Sequence, residues 1–232
     1  MCVTEVQREA GNESRHGVSL GNSMVVRVHL GHVGTRPVVC VSAAFWENRY
    51  ATGGTSGAGS EGANADWKAT VINDFVSANT VADIVEYGCG DGRQLELADY
   101  PDYTGFDVSE TAIRMCKQRF QHDPKKQFYV LPTPWPVAAN LVLSLDVIYH
   151  LVEDKVFEQH MRDVFGSALQ WVILYTTDSD SIDPDFKPAS HVRHRPVTSH
   201  VQTVFPDWEI LGVLLNPAPH MGGCDFYIYG RP

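Results

Sequence analysis

Apolar and polar positions change period several times along this chain. Residues 65–76, ADWKATVINDFV, place Trp67, Val71, Ile72 and Phe75 on one side of a helix. Residues 82–88, 103–108, 127–131, 140–147 and 171–177 are short runs rich in Val, Ile, Leu, Phe and Tyr, and they read as strands. Between them, 93–99, 110–120 and 154–165 have helical spacing. Apolar strands alternating with amphipathic helices predict βαβ units, that is, a parallel sheet covered on both faces. The tail reads as a short helix over 200–205, a strand over 208–215 and a last strand over 225–230. The link before that last strand holds Pro217, Pro219, Gly222 and Gly223 and is too short for a crossover helix. The last strand is therefore expected to be antiparallel. The expected fold is a doubly wound α/β sheet of seven strands, mostly parallel, with helices on both faces.

Residues 1–43 carry no motif. A polar start is followed by β-like runs at 24–30 and 38–43, and the segment is expected to be a poorly ordered extension. Residues 44–232 are expected to form a single domain. At its front, ATGGTSGAGSEG supplies hinge-capable glycines and hydroxyls, so 44–63 is expected to act as a lid-like segment. Phe45 and Trp46 are read as packing anchors of that segment.

Composition narrows the class. A hydrophobic fraction of 44% and a charged fraction of 20% over 232 residues suit one globular α/β domain. Net charge is −10, with no run of Lys or Arg, which disfavours nucleic acid and anionic membranes as partners. No apolar run has the length of a membrane span, and the start lacks a basic segment followed by an apolar one. A cytoplasmic location is expected. Cys2, Cys40, Cys89, Cys116 and Cys224 are scattered and form no C-x-x-C, so neither a disulfide framework nor a zinc site is read from them.

The chemistry concentrates at V85-E-Y-G-C-G-D-G-R-Q-L95. A loop after the first strand of a doubly wound sheet lies at the carboxyl edge, where ligands bind. Gly88, Gly90 and Gly92 permit unusual backbone angles and remove Cβ atoms that would block a ligand. A dinucleotide fingerprint reads G-x-G-x-x-G. Here the glycines alternate, and Glu86 and Asp91 would repel a pyrophosphate while suiting a cationic ligand. The second strand ends at Asp107, placed to accept from both ribose hydroxyls, with Val108 beside it for an adenine face.

These residues resemble class I S-adenosylmethionine-dependent methyltransferases. The matching stretches are V85-E-Y-G-C-G-D-G-R, F106-D-V-S and L143-S-L-D-V-I-Y-H-L, and the resemblance covers about residues 45–232. It implies a seven-stranded sheet, S-adenosylmethionine as cofactor and S-adenosylhomocysteine as product. It also implies that Glu86, Gly88, Cys89, Gly90, Asp91, Gly92, Asp107, Val108, Leu145 and Asp146 line the cofactor site. After the third strand the family's usual acid is replaced by Leu131-PTPWP, with Thr133 as the substitute. Tyr50, with Arg49 nearby, is placed to reach the methionine carboxylate.

For the acceptor, His150 at the end of the fourth strand is a candidate base, or a shelf for substrate. His191 and His194, with Arg193 and Arg195, read as a basic pocket, as a source of a base or as a solvated loop. H-x-x-H beside Asp178 or Asp180 lacks a fixed third ligand, so no metal is assigned. The reading is methyl transfer to an oxygen or nitrogen of a small molecule. The alternatives are a non-catalytic cofactor-binding scaffold of the same fold and an NAD(P)-dependent oxidoreductase.

Overall fold

The structure, a computed structural model, describes residues 41–133, 137–178, 189–218 and 223–231. The expected extension falls almost wholly outside them. Of the stretch that holds Asp178, Asp180, His191 and His194, residues 179–188, and so Asp180, lie outside them.

Seven strands form one sheet: β1 (Asp83–Tyr87), β2 (Asp102–Asp107), β3 (Lys126–Val130), β4 (Ala139–Leu145), β5 (Ala168–Thr176), β6 (Glu209–Leu214) and β7 (Asp225–Gly230). Their order is β3-β2-β1-β4-β5-β7-β6. β1 to β5 pair in parallel, and β7 runs antiparallel between β5 and β6. The chain steps outward from β1 through β2 to β3, then restarts at β4 on the other side of β1. The switch point therefore lies between β1 and β4, where the carboxyl edge opens into a crevice.

Five α-helices accompany the sheet among the described residues: α1 (Val41–Ala51), α2 (Gly62–Ala78), α3 (Glu110–Arg119), α4 (Asp154–Ser167) and α5 (Val197–Val204). Side chains alternate across each strand, so one strand feeds two cores. Ile84, Leu141, Leu143, Ile173 and Phe226 pack with Ile72 and Val76 of α2 and Ile113 and Cys116 of α3. Their neighbours Val85, Val142, Val172, Leu174 and Tyr229 pack with Met161, Val164 and Phe165 of α4 and Val201 of α5. Leu141, Val142 and Leu143 are fully buried, as strands covered on both faces require, and each such burial is worth about 1.5–3 kcal/mol.

Two expectations change. The run 38–43, read as β-like, enters α1 from Val41. The Val41 and Ser42 N–H groups donate to the Glu153 carboxylate (2.5 and 3.3 Å), which caps the helix with an acid from across the fold. The helix read at 93–99 is only one 3₁₀ turn, Gln94–Leu97. Pro101 forces the residue before it to be extended, and β2 begins directly after, which leaves no room for a longer helix. Between β3 and β4 only residues 131–138 intervene, too few for a crossover helix. The carboxyl end of β1 is thus left open toward α4.

Candidate active site

The turn after β1 is built on left-handed glycines, with φ of +91° at Gly88, +55° at Gly90 and +78° at Gly92. A side chain at any of them would meet the protein's own atoms. A Cβ on Gly88 would strike Val147. One on Gly90 would strike Ser56 and lie 2.8 Å from the Tyr50 hydroxyl, and one on Gly92 would lie 2.9 Å from the Phe120 ring. The glycines let Val147 after β4, the front segment and the end of α3 pack onto the loop. The loop then meets the cavity with its backbone at Gly88, Cys89 and Gly90. Asp91 is fully buried and faces the front segment instead. It accepts from Ser56 Oγ (2.8 Å), Ser56 N (3.3 Å) and Arg93 N (3.2 Å).

Asp107 ends β2, as expected. Its carboxylate accepts from Gly90 N (3.0 Å) and Ser109 N (2.9 Å), so it braces the glycine loop while lining the cavity. Burial pushes its carboxyl up to about 6, against the opposing pull of those N–H donors. Glu86 points to the α2 side of the sheet and accepts from the Tyr103 hydroxyl at 2.7 Å. Burial raises it to about 7, partly offset by that hydrogen bond and by Lys68.

The front segment lies over this loop. Glu47 of α1 accepts from Ser109 Oγ (2.6 Å), Thr111 N (3.1 Å) and Thr111 Oγ1 (2.6 Å) at the start of α3. The Tyr50 hydroxyl meets Ser56 Oγ at 3.0 Å. Arg49, expected near a carboxylate, is turned into the segment itself: its Nε donates to the Thr55 carbonyl at 2.6 Å and its guanidinium covers Trp46. Trp46 lines the cavity, beyond the packing role read for it, and Phe45 stacks on His191 with ring centres 4.3 Å apart.

At the end of β4, Asp146 is left-handed (φ +59°), a conformation that Asp tolerates better than most residues. The turn aims its carboxylate at α2, where Oδ2 accepts from Lys68 Nζ at 2.5 Å and Oδ1 from the Tyr149 hydroxyl at 2.9 Å. His150 lines the cavity beside it. Its Nδ1 lies 3.0 Å from the His191 carbonyl. A carbonyl only accepts, so Nδ1 carries the hydrogen and Nε2 keeps a free lone pair. Burial lowers the His150 pKa below its ordinary value, so the ring is neutral at neutral pH.

The cavity bounded by these groups measures about 860 Å³. Val108, Leu131, Val137, Leu145 and Val147 are among its apolar lining, and Thr133 and, from α4, Gln159 and His160 line it too.

Residues 85–165 match a family model described as a methyltransferase domain. No curated protein matches the chain in sequence. Solved structures share its fold. The N-methyltransferase NodS from Bradyrhizobium japonicum is 14% identical, with a TM-score of 0.64 over 82% of this chain and 98% of that one. The magnesium protoporphyrin IX methyltransferase from Synechocystis PCC 6803 is 14% identical, with a TM-score of 0.59 over 72% of this chain and 83% of that one. Residues 85–165 thus match a methyltransferase domain, and the sheet has the fold of the two methyltransferases just named.

A methyltransferase domain of this fold implies S-adenosylmethionine as cofactor, and the residues present fit it. The cavity has the size of a small-molecule site. Asp107 keeps acceptor capacity beyond its two N–H donors. Gln94, in the cavity wall, carries a buried Oε1 with no donor among the described residues.

Of the residues named from sequence, Tyr50, Glu86, Gly88, Cys89, Gly90, Asp107, Val108, Thr133, Leu145, Asp146 and His150 line this cavity. Asp91, Gly92, His191 and His194 do not. His191 stacks on His150 with ring centres 5.4 Å apart, and His194 Nδ1 meets Thr177 Oγ1 at 2.7 Å. Arg193 and Arg195 both pair with Asp154 and donate to the carbonyls of Leu151 and Val152, so they brace α4 rather than form an open basic pocket. Asp178 accepts from Thr198 N (3.1 Å) and Oγ1 (2.5 Å) at the start of α5.

Sequence reasoning missed Lys68, Gln94 and His160. Lys68 had a signal: it occupies a core position of α2, in step with Ala65, Ala69, Ile72 and Val76. His160 is buried against Ser144 Oγ at 2.8 Å, and burial lowers its pKa to about 4.

Proposed function

We propose that this methyltransferase acts in the cytoplasm on an oxygen or nitrogen of a small molecule, with His150 as the base. The observation that supports this most is the His150 tautomer. The His191 carbonyl holds Nδ1–H and burial favours the neutral ring, so this cavity-lining histidine keeps its Nε2 lone pair for a proton at neutral pH. S-adenosylmethionine, when bound, supplies a methyl group activated on a sulfonium. The chain's own residues then have three tasks: to hold the acceptor in line, to exclude water and to take the acceptor's proton. His150 takes the proton. His191 fixes the His150 ring by its carbonyl and by stacking, and His194 with Thr177 continues that wall. The segment 44–63 is the lid, closed by Ser56 on Asp91.

A net charge of −10 and the engaged state of Arg193 and Arg195 favour a small acceptor over nucleic acid. Among the described residues no helix is long and apolar enough to cross a membrane.

The test is methyl incorporation from labelled cofactor into a panel of small hydroxyl and amine compounds, with structured RNA included. Incorporation into a small acceptor is expected, and labelling of RNA alone would contradict the proposal. With that acceptor, His150→Ala should lower kcat by about 10²–10⁴-fold. The wild type should gain activity as pH rises through an inflection below the ordinary histidine value, and the variant should lose that inflection. An unchanged pH profile in the variant would make His150 a wall and not a base.

A further inference from the structure

The cofactor's aminoacyl end carries a carboxylate and an ammonium, and two unused groups in the cavity match them. Lys68 is 1% exposed. Its ammonium has three donors, yet among the described residues its hydrogen bond goes to Asp146 Oδ2 alone, with the Tyr175 ring 5.1 Å away. Gln94 Nε2 donates to the Ala65 carbonyl at 3.0 Å. That carbonyl fixes which way the amide points, and it leaves Oε1 buried without a donor. Ala65 and Lys68 are three residues apart on the buried face of α2, so one helix anchors both groups.

We infer that Lys68 and Gln94 form the subsite for the cofactor's aminoacyl end, Lys68 taking the carboxylate and Gln94 Oε1 the ammonium. The other lysine and arginine in the described cavity wall, Lys155 and Arg162, stand on α4 on the opposite face of the sheet. Arg49, which the sequence offered for the carboxylate, is committed to Thr55. Without Lys68 the wall would present Glu86, Asp107 and Asp146 to an incoming carboxylate and would repel it. Asp146 keeps Lys68 aimed. Glu86, on the same side, adds to the field that favours the ammonium.

The inference rests on S-adenosylmethionine as the cofactor and is independent of the acceptor. Calorimetry on the full chain tests it with three probes: S-adenosylhomocysteine, its carboxyl methyl ester, and methylthioadenosine, which lacks the amino acid. The wild type should bind the acid at least about tenfold more tightly than the ester. Lys68→Met should abolish that preference and leave methylthioadenosine binding unchanged within about threefold. Gln94→Leu should weaken S-adenosylhomocysteine and spare methylthioadenosine. Equal wild-type affinity for acid and ester would overturn the subsite, whatever the folding of the variants. So would a folded Lys68→Met that still prefers the acid, or a Gln94→Leu that loses both adenosine ligands equally. Failure of the wild type to bind either adenosine compound would instead overturn the cofactor assignment beneath it.

Discussion

Glu86 sits wholly buried under the glycine loop, and burial carries its carboxyl up to about 7. The folded chain therefore holds that proton more tightly than the unfolded chain does. Between the ordinary carboxylate range and pH 7 the native state binds more protons, so Glu86's contribution to stability is present at low pH and lost as pH rises. Glu86→Gln keeps an acceptor for the Tyr103 hydroxyl and removes the charge. It should melt higher than the wild type at pH 8, by an amount equivalent to about 1–3 kcal/mol. At pH 5 the two proteins should melt alike. The same difference at both pH values would mean that packing, not ionisation, separates them. The sequence named Glu86, because an acid before alternating glycines is an unusual local pattern. It could not name Tyr103 or Lys68 as partners. Those contacts depend on the β1–β2 register and on how α2 lies across the sheet. Lys68 is not singled out by the sequence pattern, because a lysine at a core position looks, in one dimension, like an interruption of the stripe.

The front segment, proposed above as a lid, packs directly on the glycine loop. Ser56 and the Tyr50 hydroxyl occupy the space beside Gly90 where a side chain would be, and Ser56 is clamped to Asp91. Gly90→Ala adds a Cβ in that space at φ +55°, where an L side chain is also strained. The backbone strain alone costs about 1–3 kcal/mol. The variant should release the lid, so proteolytic cleavage within 52–61 should be faster than in the wild type. Gly212→Ala, which meets open space in β6, should cleave like the wild type. Equal cleavage in all three would show that the clamp does not hold the lid. The strands were legible because apolar runs of that length have few other uses. α1 was not: of its residues only Ser42 and Tyr50 are buried, so it has no apolar stripe, and its anchors are Glu47 on α3 and Glu153 before α4.

At the scale of the whole molecule, the antiparallel seventh strand followed from a link too short to cross the sheet, and the order of strands places the crevice between β1 and β4. The outermost strand, β6, leaves Ile210, Leu211, Val213 and Leu214 exposed, which no local pattern announced. The cavity reaches α4 because the β3–β4 connection carries no crossover helix, and Pro-rich text there hinted at a connection without saying what it would leave open. The claim on which everything else depends is that this cavity takes an adenosyl sulfur compound through Asp107. Its most direct test is calorimetric titration of the full chain with S-adenosylhomocysteine, with NAD as the control ligand and Asp107→Ala beside the wild type. The account predicts saturable binding of S-adenosylhomocysteine only, weakened by about 1–3 kcal/mol in a folded Asp107→Ala. Saturable binding of NAD, or S-adenosylhomocysteine affinity unchanged by the substitution, would contradict it.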